Sequence, residues 1–490
     1  MRFDLGLLAA VGAAVIAVLD YYARGRVMRA DTPGGIVVLD VGSTNTKLLL
    51  FDHALNVVAE ESALSARLPD APYTAIDPGP ILALAERVLP AFDAILPVDA
   101  VVPCTHGSAL ALLERSGALA LPIMDYNATM PDEVARAYAA VAPAFEEVLA
   151  PINPGGLTLA RQIWWQAGEW PEAFARVSVM LPFAQALAHW LGGRAVSEVT
   201  SWGAQTHLWD MTGGGPSSLA RDRGWADAFA DPVPAWHVVG ALDARFRGTG
   251  FRGRGEIHAG IHDSSANYLR YAGSTMERFA LLSTGTWIIG FDAGADPGRL
   301  DPARDTACGL NVWGRPVPIC RFKGGEEFAI LAGDAPEPDP SALAELVARG
   351  VMALPNFTQS GGPLPGPKGH VTGVVAPEER RALAALYCAQ MSVLALEAMS
   401  GAPPEHILVD GPFSQNAGYL AALAALLPGS TVLASTQREG TATGAALLAL
   451  MDQETGRLPP NPVPLAPVAA AELPGLAAYH AAWRRAAGAD

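Results

Sequence analysis

The sequence predicts an α/β fold in two domains facing a shared cleft, on three observations. Apolar runs of strand length alternate with longer stretches of helical periodicity. A unit of strand, small polar turn and strand occurs at residues 36–52 and again at 279–291. The chain has 490 residues, more than one hydrophobic core ordinarily serves, and at 50% hydrophobic and 17% charged it is globular rather than disordered.

In chain order, residues 5–19 are an uncharged apolar run with Arg24, Arg26 and Arg29 behind it, short of the roughly 17–25 residues that span a bilayer. It reads as an extension outside the fold, as a membrane anchor or as a docked helix. An anchor would keep the body of the chain inside, because the arginine excess follows it. From residue 36 the character changes. Strands are expected at 36–39, 47–52 and 56–60, then a helix at 81–96, a buried strand at 100–103 and a helix at 132–149. The second half reopens with strands at 279–282 and 287–291. A strand at 407–410 then runs through a glycine turn into a helix at 417–427, and a Gly/Ala-rich helix starts at 440–446. The expected division is an extension at 1–34, domains at 35–272 and 273–455, and a tail at 456–490 with no readable motif.

Acidic residues outnumber basic ones, 49 to 33, and no Lys/Arg run follows residue 30, which argues against a nucleic-acid partner. Cys104, Cys308, Cys320 and Cys388 lie far apart without metal-ligand spacing. They read as buried thiols of a reducing, cytoplasmic compartment.

Four segments carry chemistry, and together they fit phosphoryl transfer, which needs donors around the phosphates, a metal and a carboxylate for the acceptor hydroxyl. In the first, Asp40 precedes Gly42, Ser43, Thr44, Asn45, Thr46 and Lys47. Small residues let main-chain N–H groups and hydroxyls approach phosphate oxygens, and Asp40 suits hydrated Mg²⁺; an ordinary hairpin is the plain alternative. The glycine–lysine P-loop is absent. The second is the matching turn Ser283, Thr284, Gly285 and Thr286. The third puts Asp263 at a loop-to-helix junction, either as a helix cap or as a general base. The fourth joins Asp410, Gly411, Gln415 and Asn416 to a Gly/Ala segment containing Gly444. Missing β-carbons there would let an adenine ring lie on the backbone, and helix packing explains the Gly/Ala segment equally well.

In this order and spacing the four segments resemble the FGGY family of carbohydrate kinases, which includes glycerol kinase, xylulokinase, fuculokinase and rhamnulokinase. The resemblance spans residues 35–455. It implies two ribonuclease H-like domains of the actin-like ATPase type closing on MgATP and a sugar. Residues 40–46 would be the first phosphate grip, 283–286 the second, Asp263 the catalytic base, and 410–411 with 440–446 the adenosine end. The family's glycine run is replaced here by Val409, Asp410, Gly411 and Pro412.

Thr105 and His106 stand where many members have a sugar-contacting Gln-Met-His-Gly segment, and Gln185 where an aspartate often binds sugar hydroxyls. The usual Trp-Asn-Asp-x-Arg is altered at 122–127, without its arginine. Segments 196–203 and 260–263 look closer to rhamnulokinase and fuculokinase, so the implied acceptor is a ketopentose or a deoxy-ketohexose such as L-fuculose or L-rhamnulose. A xylulokinase- or polyol-kinase-like activity, or a non-catalytic nucleotide-binding protein, are the alternatives. The implied partners are ATP and the sugar, a homodimer is allowed, and membrane contact is confined to residues 5–19.

Overall fold

The computed structural model describes residues 34–489 apart from 274, 275, 277, 360, 438 and 462, so the apolar run at 5–19 lies outside the described residues. Two seven-stranded sheets form the scaffold. In the first, β1 (Gly35–Val41), β2 (Asn45–Phe51) and β3 (Val57–Leu64) are antiparallel, and β4 (Val98–Thr105) runs parallel to β1 on its other side. β5 (Val238–Ala241) closes the edge antiparallel to β6 (Glu256–His258), while β6 and β7 (Ile261–His262) both lie parallel to β4. β1 is a continuous apolar run because it is buried on both faces. β3 carries glutamates because it is largely exposed.

The second sheet repeats the plan. β8 (Phe279–Thr284), β9 (Ile288–Phe291), β10 (Thr306–Leu310) and β11 (Pro316–Phe322) are antiparallel in the order β10-β11-β9-β8. β12 (His406–Asp410) and β13 (Thr431–Ser435) follow parallel to β8, and β14 (Leu465–Pro467) closes the edge antiparallel. The α/β class and the repeated opening are as the sequence predicts.

Of the helices, α1 (Gly79–Ile95), α2 (Phe183–Leu191) and α3 (Asp263–Ala272) belong to the first half, and α4 (Gly324–Ala332), α5 (Arg380–Ser400), α6 (Ala417–Leu426), α7 (Gly440–Leu447) and α8 (Leu476–Ala487) to the second. α5 is apolar nearly all round because it is the buried centre of the second hydrophobic core, which also accounts for its membrane-like composition.

Two expectations are corrected. The helix expected at 132–149 is two, Asp132–Ala139 and Phe145–Val148, with Pro143 between them; proline lacks the N–H that would continue the first. The expected tail is part of the second core. β14 pairs with β13, Trp483 on α8 is fully buried with its indole N–H donating to the Ala353 carbonyl at 2.7 Å, and the Tyr479 hydroxyl donates to the Val351 carbonyl at 2.7 Å. The signal was present as an i, i+3, i+7 stripe, Leu476, Tyr479 and Trp483, hidden by alanine-rich surroundings.

Candidate active site

Strand register brings the first and third segments to one end of the first sheet. Asp40 near the end of β1 lies opposite Lys47 on β2 and Cys104 on β4, and Cys104 in turn lies opposite Ile261 on β7. Asp40, the Thr105–His106 end of β4 and the His262–Asp263 start of α3 therefore emerge together. Gly260 makes the last approach feasible: its φ is +89°, and a β-carbon there would come within 2.6 Å of the Pro103 carbonyl oxygen.

Asp40 is pushed up to about 7 by burial first, then by the charges of Asp263 and Glu439, with only Lys47 opposing. An acid held that high by burial and by neighbouring carboxylates is one whose ionised form a divalent cation would stabilise, so this donor set fits Mg²⁺. The Lys47 ammonium is shared by Glu439 at 3.2 Å and Glu60 at 3.4 Å. The hydroxyls of Ser43 and Thr44 have no partner among the described residues, whereas buried Thr46 faces Ser65 at 3.5 Å and Asn45 is the exposed first residue of β2, whose carbonyl accepts from the Gly42 N–H.

Asp263 is the first residue of α3, and the cap position is His262. Its Oδ1 accepts from the Ser264 N–H at 2.5 Å and the Ser264 hydroxyl at 3.2 Å, and lies 3.1 Å from His262 Nε2. Oδ2 has no partner among the described residues, and the side chain is one-third exposed. The carboxylate is thus oriented on one oxygen and open on the other, unlike a cap that reaches back over the first turn.

Around it stand His106, whose ring packs edge-on against Tyr126 at 5.3 Å and whose buried Nδ1 lacks a partner, and Thr105, whose hydroxyl donates to the His106 carbonyl at 3.0 Å. Burial lowers His106 from the usual imidazole value despite the pull of Asp263 and Asp125. Sequence reasoning missed Arg67. Its guanidinium is ion-paired with Asp125 and donates to the Ser43 carbonyl at 2.8 Å, so an arginine does stand by the 122–127 segment, brought from the loop after β3. No local pattern could have found it. Glu439 was missed as well, and Tyr126 was passed over although it lies inside the 122–127 segment.

Gln185 is fully buried on α2; its amide N–H donates to the Ala259 carbonyl at 3.1 Å, between β6 and β7, and its Oε1 has no hydrogen-bond partner among the described residues.

The second phosphate turn occupies the matching register. Ser283 on β8 lies opposite Ile289 on β9 and Asp410 on β12, as Asp40 lies opposite Lys47 and Cys104. Two of its hydroxyls are nevertheless committed to the protein. Ser283 accepts from Asn267 on α3 at 2.8 Å, and Thr284 donates to the Asp410 carbonyl at 2.5 Å and accepts from the Phe413 N–H at 3.1 Å. The exposed Thr286 hydroxyl remains for a ligand, whereas the Gly285 N–H donates to the Trp287 carbonyl at 2.8 Å.

Three of the adenosine residues also have other work. The Asp410 carboxylate is buried 3.7 Å from Arg270, Asn416 caps α6 by accepting from the Tyr419 N–H at 3.0 Å, and Gly444 is a helix-crossing residue where a β-carbon would overlap the Ala266 carbonyl of α3. Gly411, with φ +83°, lets the turn after β12 pass over Thr284, and Gln415 is exposed beside it.

Besides the Lys47–Glu439 and Asn267–Ser283 contacts, a polar cluster around Arg321 bridges the halves. Arg321 on β11 donates to the Gln205 side chain at 2.9 Å and to Asn153, lies 3.3 Å from Asp305, and stacks over Trp287.

With that geometry described, likeness to known proteins can be placed on it. Residues 276–458 match the family described as "Carbohydrate kinase FGGY, C-terminal domain". A carbohydrate kinase from Novosphingobium aromaticivorans is 32% identical over 93% of this chain and 99% of its own, with a TM-score of 0.84. Two others are alike in fold: a xylulose kinase from Rhodospirillum rubrum (20% identical, 93% and 98% covered, TM-score 0.74) and a gluconate kinase from Lactobacillus acidophilus (14%, 93% and 96%, 0.76). No curated protein sequence matches.

Proposed function

The chain belongs to the FGGY family of carbohydrate kinases, and from that premise we propose that it transfers the γ-phosphate of ATP to a hydroxyl of a small neutral ketose, with Asp263 as the base. The observation that carries this reading is the Asp263 carboxylate, anchored through Oδ1 and open at Oδ2 beside His106. Oδ2 accepts the acceptor hydroxyl's proton as that oxygen bonds to phosphorus and the bond to the departing ADP breaks. Ser43, Thr44 and Thr286 hold the transferring phosphates from two sides. Asp40 would hold Mg²⁺, which when bound offsets phosphate charge.

A neutral acceptor is supported by the cations near Asp263 and Asp40: Arg67 is paired with Asp125, and Lys47 with Glu439 and Glu60. Within that class, the resemblance of 196–203 and 260–263 favours a ketopentose or a deoxy-ketohexose such as L-fuculose or L-rhamnulose, with D-xylulose and simple polyols as the alternative. ADP release should be measured with L-fuculose, L-rhamnulose, D-xylulose, glycerol and gluconate. Turnover of one neutral sugar well above the rest is expected; preference for gluconate would overturn the neutral-acceptor reading.

A further inference from the structure

Glu198 is a fully buried carboxylate, and the described residues supply it no cation. It is held instead by four donors: Thr200 N–H at 2.9 Å, Thr200 hydroxyl at 2.5 Å, Ser201 N–H at 3.1 Å and Ser201 hydroxyl at 3.4 Å. The Thr200 hydroxyl, at 2.5 Å, is turned toward the Glu198 carboxyl. Its oxygen accepts from the main-chain N–H of His262 at 3.1 Å. The His262 ring is fixed as well. Its Nε2 meets Asp263 Oδ1 at 3.1 Å, its Nδ1 lies 3.4 Å from the Ser265 hydroxyl, and a β-carbon on Gly107 would come within 2.9 Å of its Cδ2. Ser265 donates its one hydroxyl proton to the Leu310 carbonyl on β10 at 3.0 Å, so in the tautomer that carries its proton on Nε2 toward Asp263 the 3.4 Å approach to Nδ1 is packing and not a hydrogen bond.

We propose that Glu198, Thr200 and His262 are positioning residues for Asp263: a buried relay that occupies Oδ1 and leaves Oδ2 alone to meet the acceptor hydroxyl. The proposal rests on Asp263 being the base. Glu198 and Thr200 touch neither substrate; they act through His262, whose Nε2–H donates to Oδ1 and keeps the carboxylate in one rotamer. Loss of the relay leaves the base present but free to turn, which lowers turnover without weakening nucleotide binding.

The test is steady-state kinetics on the full chain with whichever of L-fuculose, L-rhamnulose or D-xylulose turns over fastest, beside nucleotide affinity and thermal midpoint. His262→Leu and Thr200→Val should lose roughly 10- to 100-fold in kcat while KM for ATP stays within about twofold. His262→Gln, which returns an N–H near the Nε2 position, and Thr200→Ser, which keeps the hydroxyl, should recover most of it. If Thr200→Val fails to fold, the His262 pair decides. His262→Leu within about threefold of wild type beside an inactive Asp263→Asn overturns the relay and leaves the base. An active Asp263→Asn overturns both. Equal loss in His262→Leu and His262→Gln also overturns the relay, because restoring the donor then restores nothing.

Discussion

Asp40 and Asp263 are two carboxylates within reach of each other's charge, and their surroundings set them different tasks. Asp263 is oriented and open, so Asp263→Asn should lower kcat by about 10²- to 10⁴-fold with ATP affinity by calorimetry nearly unchanged. Asp40 keeps its proton up to about 7, chiefly through burial and then through Asp263 and Glu439. A cation must displace that proton. kcat/KM for MgATP should therefore climb as pH rises through about 7 and level off above it, and Asp40→Asn should be slow and flat over the same range. Glu198 is likewise raised to about 7, by burial against the hydrogen bonds from Thr200 and Ser201. For both acids the folded pKa exceeds the unfolded one, so the stability they contribute is complete below about pH 4 and is lost as pH rises through about 7. The thermal midpoint of the ligand-free protein should fall between about pH 5 and pH 8, and Glu198→Gln should flatten that fall.

At the scale of elements, the crossing of α3 and α7 carries the most strain-sensitive contact. Gly444 lets α7 press its backbone onto the Ala266 carbonyl of α3, the helix that begins with Asp263. Gly444→Val should cost about 1–3 kcal/mol or more by overpacking, and should lower turnover through displacement of α3. A thermal midpoint unchanged from wild type would show the crossing to be loose. The C-terminal helix α8 anchors through Trp483, so Trp483→Ala should cost about 3–5 kcal/mol in chemical denaturation. A loss below about 1 kcal/mol would mean that α8 is peripheral.

At the scale of the molecule, the two sheets share one plan and present Asp40 and Ser283 at equivalent register positions, as the proposed grip on one nucleotide from two sides requires. Arg321 bridges them through Asn153 and Gln205. Closure on substrates should depend on that bridge: small-angle scattering with MgATP and sugar together should show a smaller radius of gyration than either ligand alone. Arg321→Ala should reduce the difference and raise KM for the sugar several-fold with kcat less affected. An unchanged radius with both ligands would count against closure.

The sequence by itself determined the α/β class, the repeated strand–turn–strand opening and the junction at Asp263, because burial patterns and turn residues are local properties that a single segment carries. It also located both small-residue turns, since small residues in a tight turn are legible without their neighbours. Only the tertiary structure decided which of those residues are free. Thr284, Asn416 and Gly444 have the composition of a ligand site, yet their groups are taken by a strand end, a helix cap and a helix crossing. Arg67 and Glu439 reach the site from positions with no motif of their own, because charge complementarity acts through space. The Ala-rich last segment concealed a core helix because its partner residues, Val351 and Ala353, lie more than a hundred positions earlier in the chain.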